Sequence, residues 1–230
     1  MHIIEIWRAD LRAYQHQLPA YQALLNHQEL ERAGRFKNAL LRDRFILGRG
    51  ILRTLLAGRL RTDPASLAFS SGPYGKPALC GLPLYFNVSH SADRLLIALA
   101  DLEHIGVDIE AVKPRTALPA LAGRIMSGNE YAAWAALPAD LQLRLFYRLW
   151  TQKEAFVKAV GRGLGIGLNQ CEVEWENGAQ FSTIPGEYGR GEDWKIIDIQ
   201  AGAGFCAALV APNAAISVLE SDFNGAAIRL

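Results

Sequence analysis

The sequence predicts an α+β fold, and three observations carry that prediction. Apolar residues recur at helical spacing through a long early segment and again in the middle of the chain. Short runs with the alternation of half-buried strands follow each helical segment. One order of elements also recurs, because "SADRLLIALA" and "AGAGFCAALVA" each place a polar turn before a small-residue apolar strand, late in their half of the chain. That recurrence hints at a duplicated unit.

Taken in order, "IIEIW" alternates like an edge strand and leads into a helical pattern over 22–60. Gly34, Gly48, Gly50 and Gly58 interrupt the pattern and divide it into two or three helices. "FSSGPYGKPAL" reads as a loop, marked by Gly72, Pro73, Gly75 and Pro77. "LYFNVSHS", "RLLIALA" and "HIGVDIE" are three short strands separated by polar turns, which suggests a small antiparallel sheet. After Pro114 and Pro119, helical spacing resumes in "GNEYAAWAAL" and "LQLRLFYRLWTQKEAFVKAV". The chain then returns to strands in "QCEVEWE", "WKIIDIQ" and "FCAALVA".

At 230 residues, half of them hydrophobic and a fifth charged, the chain has room for one large or two small domains. A formal net charge of +1 excludes a general affinity for nucleic acid or membrane, so an anion site has to come from local clustering. Cys80, Cys171 and Cys206 stand far apart without a CxxC pair or a histidine at ligand spacing, which argues against a zinc site or a disulfide framework. "MHIIEIWRADL" meets charge within its first five residues, and no apolar run approaches the ~20 residues that span a bilayer. The expected location is cytoplasmic.

The chemistry concentrates in two stretches. In "GVDIE" at 106–110, strand alternation turns Ile105, Val107 and Ile109 one way and both Asp108 and Glu110 the other. An isolated pair of this kind also fits a solvated sheet face. In "RLWTQKEAFVKAVGRGLG", Trp150, Glu154 and Lys158 fall at successive i,i+4 positions, with Phe146, Leu149 and Val157 close around them. Glu154 brought beside Asp108 and Glu110 makes three acids that repel one another unless a divalent cation sits among them. Oxygen ligands without His or Cys favour magnesium or manganese. Arg42, Arg44, Arg49 and Arg53 on the early helices, Lys76 in the Gly/Pro loop, and Ser89 with His90 add positive and hydrogen-bonding groups. Each alone reads as an ordinary surface or turn residue. Together with the acids they are the parts of a polyphosphate site. The chain has no GxxxxGKS/T or GxGxxG loop, so neither a P-loop nor a Rossmann site is supported.

"GVDIE" resembles the G-I/V-D-I/V-E motif of the Sfp-type 4'-phosphopantetheinyl transferases, and "WTQKEAFVKAVGRG" at 150–163 resembles their W-S/T-x-K-E-A/S-x-x-K-x-x-G-x-G motif at every specified position. "YGKPAL" and "FNVSHS" are similar to further segments of that family, in its order, so the resemblance runs over about 32–164. It implies two similar α+β halves related by a pseudo-twofold, each a small antiparallel sheet packed with helices. The N-terminal half, 1–112, would bind coenzyme A and end in the acidic motif; the C-terminal half, 113–230, would carry the second motif.

The resemblance also implies a reaction and its participants. The 4'-phosphopantetheine arm of coenzyme A passes to a serine hydroxyl of an apo acyl or peptidyl carrier protein, and adenosine 3',5'-bisphosphate leaves, with magnesium required. Asp108, Glu110 and Glu154 would bind the metal. Glu154 would also act as general base, directly or through water, and Lys158 would stabilise or protonate the leaving phosphate. Ser89, His90 and Arg44 resemble contacts to the 3'-phosphate and diphosphate, and Asp108 and Lys158 also count among the residues that would bind coenzyme A. Tyr74, Gly75, Lys76 and Pro77 resemble the adenine segment, while Lys153 contacts the diphosphate or packs beside the site. Arg32, Arg35 and Lys37 fall where the family has basic residues for the 3'-phosphate. A carrier helix would dock near Leu118, Leu121, Ile125 and Met126, which as residues of an amphipathic helix also fit the core. The expected enzyme is a monomer that binds no nucleic acid and no membrane. Its alternatives are a non-catalytic coenzyme A-binding partner of a biosynthetic complex and another magnesium-dependent phosphotransferase.

Overall fold

The computed structural model of the chain describes residues 1–176 and 178–225. Strand β1 (His2–Asp10) leads through a 3-10 turn into α1 (Leu18–Ala23), α2 (His27–Gly34) and α3 (Ala39–Leu60). The early helical pattern is therefore three helices. Local chemistry sets their ends: Asn26 and Glu29 form a reciprocal capping box on α2, and the Asn38 side chain accepts from the Leu41 N–H at the start of α3. Gly48, Gly50 and Gly58 do not break α3, contrary to the expectation from sequence. At Gly50 the reason is close packing, since a Cβ there would lie 2.6 Å from the Tyr21 side chain of α1.

The Gly/Pro loop is framed by a short hairpin of β2 (Phe69–Ser71) and β3 (Pro77–Leu79). A second hairpin, β4 (Tyr85–Ser91) and β5 (Arg94–Ala100), is followed by β6 (Gly106–Ala111). Helices α4 (Leu118–Ile125), α5 (Gly128–Ala135) and α6 (Ala139–Val160) come next, then β7 (Glu172–Glu174), β8 (Gln180–Thr183), β9 (Trp194–Asp198), β10 (Phe205–Pro212) and β11 (Ile216–Asp222). The order α3, β4, β5, β6 is thus echoed by α6, β9, β10, β11.

The sheets are not built from sequence neighbours alone. The first runs β11-β1-β5-β4 and the second β6-β10-β9. β1 is accordingly not an edge strand: it pairs antiparallel with β5 and parallel with β11. Likewise β6 does not extend the β4–β5 hairpin but pairs antiparallel with β10, setting Asp108 opposite Ala208 and Glu110 opposite Cys206. Each hairpin therefore passes its next strand to the other sheet, and the sheets cross position 112 in both directions.

Burial follows from stacking α3, the first sheet, the second sheet and α6. Leu95, Ile97 and Leu99 of β5 pack with α3, while Leu96 and Ala98 meet Val107, Ile109, Ala207 and Leu209 of the second sheet. Ala208 and Val210 of β10 pack under Phe156 and Val157 of α6. Strands buried on both faces explain the nearly continuous apolar runs in β5 and β10.

Candidate active site

Strand alternation sends Val107 and Ile109 into the core between the sheets and turns Asp108 and Glu110 toward α6. Gly106 sets how near that helix comes. A Cβ there would lie 2.0 Å from the Ala155 carbonyl oxygen and 2.4 Å from the Ala159 nitrogen, so only glycine lets α6 lie directly on β6. The approach brings Glu154 and Lys158, one helical turn apart, to the acidic strand.

Lys158 Nζ donates to Asp108 Oδ1 at 2.7 Å, to Ser89 Oγ at 2.9 Å and to the Val107 carbonyl at 3.1 Å. Ser89 Oγ in turn donates to Asp108 Oδ1 at 2.8 Å and accepts from the Ile109 N–H at 3.3 Å. Asp108 is buried, and its Oδ2 has no hydrogen-bond partner among the described residues. Glu110 and Glu154 are half-buried. Burial raises the Glu154 carboxyl above its ordinary value, and the charges of Asp108 and Glu110 add to the rise while Lys158 opposes it. Burial likewise raises Glu110, with Asp108 adding to it and the Ser91 hydroxyl opposing.

Among the described residues no three His, Cys, Asp or Glu side chains are grouped closely enough to form a finished metal cage. The donor set nevertheless fits a hard divalent cation. It consists of carboxylate oxygens, the charge of Asp108 destabilises the ionised forms of Glu110 and Glu154, and Asp108 Oδ2 is a buried lone-pair donor without a partner among the described residues.

Beside these groups lies a cavity of about 300 Å³ walled by Tyr74, Lys76, Pro77, Val88, Glu154 and Lys158. The loop carrying Gly75 thus faces the acidic cluster. Lys76 Nζ donates to the carbonyls of Ile105 (3.1 Å) and Ala159 (2.9 Å), tying the loop to the start of β6 and the end of α6. Burial lowers its pKa to about 8. Tyr74 is exposed under the Arg162 guanidinium, 5.4 Å from the ring centroid. Arg44, on α3, is clamped to Asp93 in the β4–β5 turn at 2.8 and 2.7 Å. His90 is exposed on β4, and its imidazole is held below its ordinary value by the surrounding protein and then by the charges of Lys158 and Arg44. Arg32 and Arg35 are engaged elsewhere, over Phe45 and with Glu31, and Lys37 is exposed.

Two expectations need correction. Lys153 is not brought to the cavity: it is fully buried on another face of α6, ion-paired with Glu130 and donating to the Ile125 carbonyl at 2.7 Å. Of the four residues named for carrier docking, Ile125 and Met126 are core, because the apolar stripe of α4 packs inward; Leu118 and Leu121 stay half-buried.

Sequence reasoning missed Asn87 and Ser91. Asn87 Oδ1 accepts from the Val107 N–H at 3.0 Å, and Ser91 Oγ accepts from the Ala111 N–H at 3.1 Å while donating to Glu110 Oε2 at 2.7 Å. With Ser89, these side chains of β4 cap alternate N–H groups on the edge of β6 that β10 does not cover. The signal was in "FNVSHS", whose polar residues at 87, 89 and 91 share one strand face.

Comparison with known proteins gives the chain's family. The model of the 4'-phosphopantetheinyl transferase superfamily matches residues 104–210, which include both acidic stretches. The 4'-phosphopantetheinyl transferase HetI of Nostoc sp. is 34% identical over 200 residues, covering 85% of this chain and 82% of that protein. The 4'-phosphopantetheinyl transferase Sfp of Bacillus subtilis is 33% identical over 163 residues, 70% of this chain and 71% of Sfp. Among solved structures, the holo-[acyl-carrier-protein] synthase of Thermotoga maritima aligns with a TM-score of 0.39 at 23% identity, over 46% of this chain and 60% of that one. On the extent of the HetI and Sfp matches, the chain belongs to the Sfp-type family of 4'-phosphopantetheinyl transferases.

Proposed function

We propose that this enzyme transfers the 4'-phosphopantetheine group of coenzyme A to a serine hydroxyl of an apo acyl or peptidyl carrier protein, releasing adenosine 3',5'-bisphosphate. The observation that carries the reading is the buried Asp108 carboxylate, with Lys158 and Ser89 on one oxygen, no partner on the other among the described residues, and a charge that acts on Glu154. Asp108, Glu110 and Glu154 are the residues that would hold magnesium, which when bound supplies positive charge to the diphosphate.

The remaining roles follow from the side chains. Glu154, whose carboxyl is raised by burial and its acidic neighbours, takes a proton more readily than an ordinary carboxylate and acts as general base toward the carrier serine, directly or through water. Lys158 presents an ammonium where negative charge develops on the leaving phosphate. Ser89, His90 and Arg44 hold the phosphates at the open end of β4, and the loop carrying Tyr74, Gly75, Lys76 and Pro77 receives the adenine. In this reading the half 1–112 supplies the coenzyme A surface and the half 113–230 the helix that completes it, in a monomer. Leu118 and Leu121, which stay half-buried, are the part of a carrier-docking patch left at the surface. No helix among the described residues is long and apolar enough to cross a membrane. In this reading the enzyme is cytoplasmic and its partners are coenzyme A and carrier proteins.

The test is intact-mass analysis of apo acyl and peptidyl carrier proteins incubated with the enzyme, coenzyme A and magnesium, with and without EDTA. The expected result is a gain of one phosphopantetheine that EDTA abolishes. No gain on either carrier class, from a protein that still binds coenzyme A, sinks the reading.

A further inference from the structure

The capping of β6 by β4 repeats a unit. On one rung, Ser89 Oγ accepts the Ile109 N–H and donates to the carboxylate one residue earlier, Asp108. On the next, Ser91 Oγ accepts the Ala111 N–H and donates to the carboxylate one residue earlier, Glu110. The third rung lacks the second half: Asn87 accepts the Val107 N–H and, among the described residues, makes no hydrogen bond to an acid.

We propose that Ser91 is a positioning residue that fixes the Glu110 carboxylate for the divalent cation, as Ser89 fixes Asp108. The proposal rests on the reading of Glu110 as a metal ligand. Asp108 is held by Ser89 and by Lys158, whereas the hydrogen bond from Ser91 is the only one the Glu110 carboxylate makes among the described residues. Glu110 also has a longer, half-buried side chain with more rotamers to lose, so a single anchor decides how much of its freedom is removed before a cation arrives. Ser91 is itself held firmly. It closes the β4–β5 hairpin opposite Arg94, and its hydroxyl is oriented by the Ala111 N–H, which leaves its proton for Glu110.

The test measures Mn²⁺ binding by electron paramagnetic resonance, without carrier protein and both with and without coenzyme A, for the unaltered enzyme, Ser91→Ala, Ser91→Thr and Asn87→Ala, with each melting temperature recorded. Ser91→Cys, which keeps the size but offers a weak donor, stands in if Ser91→Ala does not fold. The expected result is a loss of about ten-fold or more in Mn²⁺ affinity for Ser91→Ala, the usual scale for groups that orient metal ligands. Ser91→Thr, which keeps the hydroxyl, restores the affinity. Asn87→Ala, which removes a strand cap of the same kind without touching an acid, lowers the melting temperature and keeps the affinity. Equal Mn²⁺ affinity in Ser91→Ala and the unaltered protein overturns the assignment, as does an equal loss in Asn87→Ala. An unaltered enzyme that binds Mn²⁺ with this Ser91 dependence yet loads no carrier overturns the transferase reading and leaves the Ser91 assignment standing. If the unaltered enzyme binds no Mn²⁺, the metal reading of Glu110 falls, and the assignment with it.

Discussion

Helix α6 carries two lysines, five residues apart, and each faces a carboxylate, yet the two pairs are finished differently. Lys153 and Glu130 are sealed in the core with side chains 0% and 1% exposed, and every polar atom of the pair is engaged. Glu130 Oε1 accepts from the Val173 N–H and Oε2 from Ser127 N–H and Lys153, while Lys153 also donates to the Ile125 carbonyl. Lys158 and Asp108 are 28% and 7% exposed, and Asp108 Oδ2 is left over. The same chemical pair, closed in one place and one atom short in the other, separates a fastener from a site. A complete network fixes a structure, whereas an incomplete one marks where something else binds.

Three changes sharpen or break this contrast. Lys153→Met should have the largest effect, a loss of about 3–5 kcal/mol in denaturant unfolding, because it strands the Glu130 charge in the core. The rate per folded molecule should stay near that of the unaltered enzyme. A comparable fall in kcat at unchanged stability would make Lys153 part of the site and erase the distinction. Lys158→Met should do the reverse, lowering kcat by about 10²-fold while the melting temperature moves little, since this lysine is partly solvated and in the proposed reaction its ammonium meets the developing charge. A stability loss matching that of Lys153→Met would show a second fastener instead.

The smallest effect concerns a third lysine, Lys76, also held by backbone carbonyls. Its folded pKa is lowered to about 8 from 10.5. Between those values the unfolded chain holds more protons than the folded one, so stability should rise with pH relative to Lys76→Met. The penalty is fully present below pH about 8 and relieved by pH about 10.5. Because the side chain is only partly buried, the rise is on the order of 1 kcal/mol. Parallel stability curves for the two proteins from pH 7 to about 11 would refute the lowered pKa.

What the sequence made legible was local. Alternation in "GVDIE" turned both acids to one face, and i,i+4 spacing joined Glu154 to Lys158, because both rules follow from the geometry of a single element. Partners distant in the chain were not legible. Nothing in the pattern of β6 distinguishes β5 from β10 as its neighbour, since alternation specifies a face and not a mate. Lys153 has no local mark of its fate either: Glu130 lies 23 residues away, and the two meet only after α5 folds back on α6. The Asn87, Ser89 and Ser91 alternation was visible, but its meaning depended on which strand edge lay beside it.

The crossing of strands between the two sheets also constrains how the enzyme is made. β1 is translated long before its parallel neighbour β11, which lies at 216–222. β6 likewise waits for β10. Neither sheet can be completed on a nascent chain until nearly all of these residues have emerged, so the usual order in which an N-terminal unit folds first during synthesis is unavailable. An interrupted translation product leaves open strand edges for chaperones and proteases to recognise.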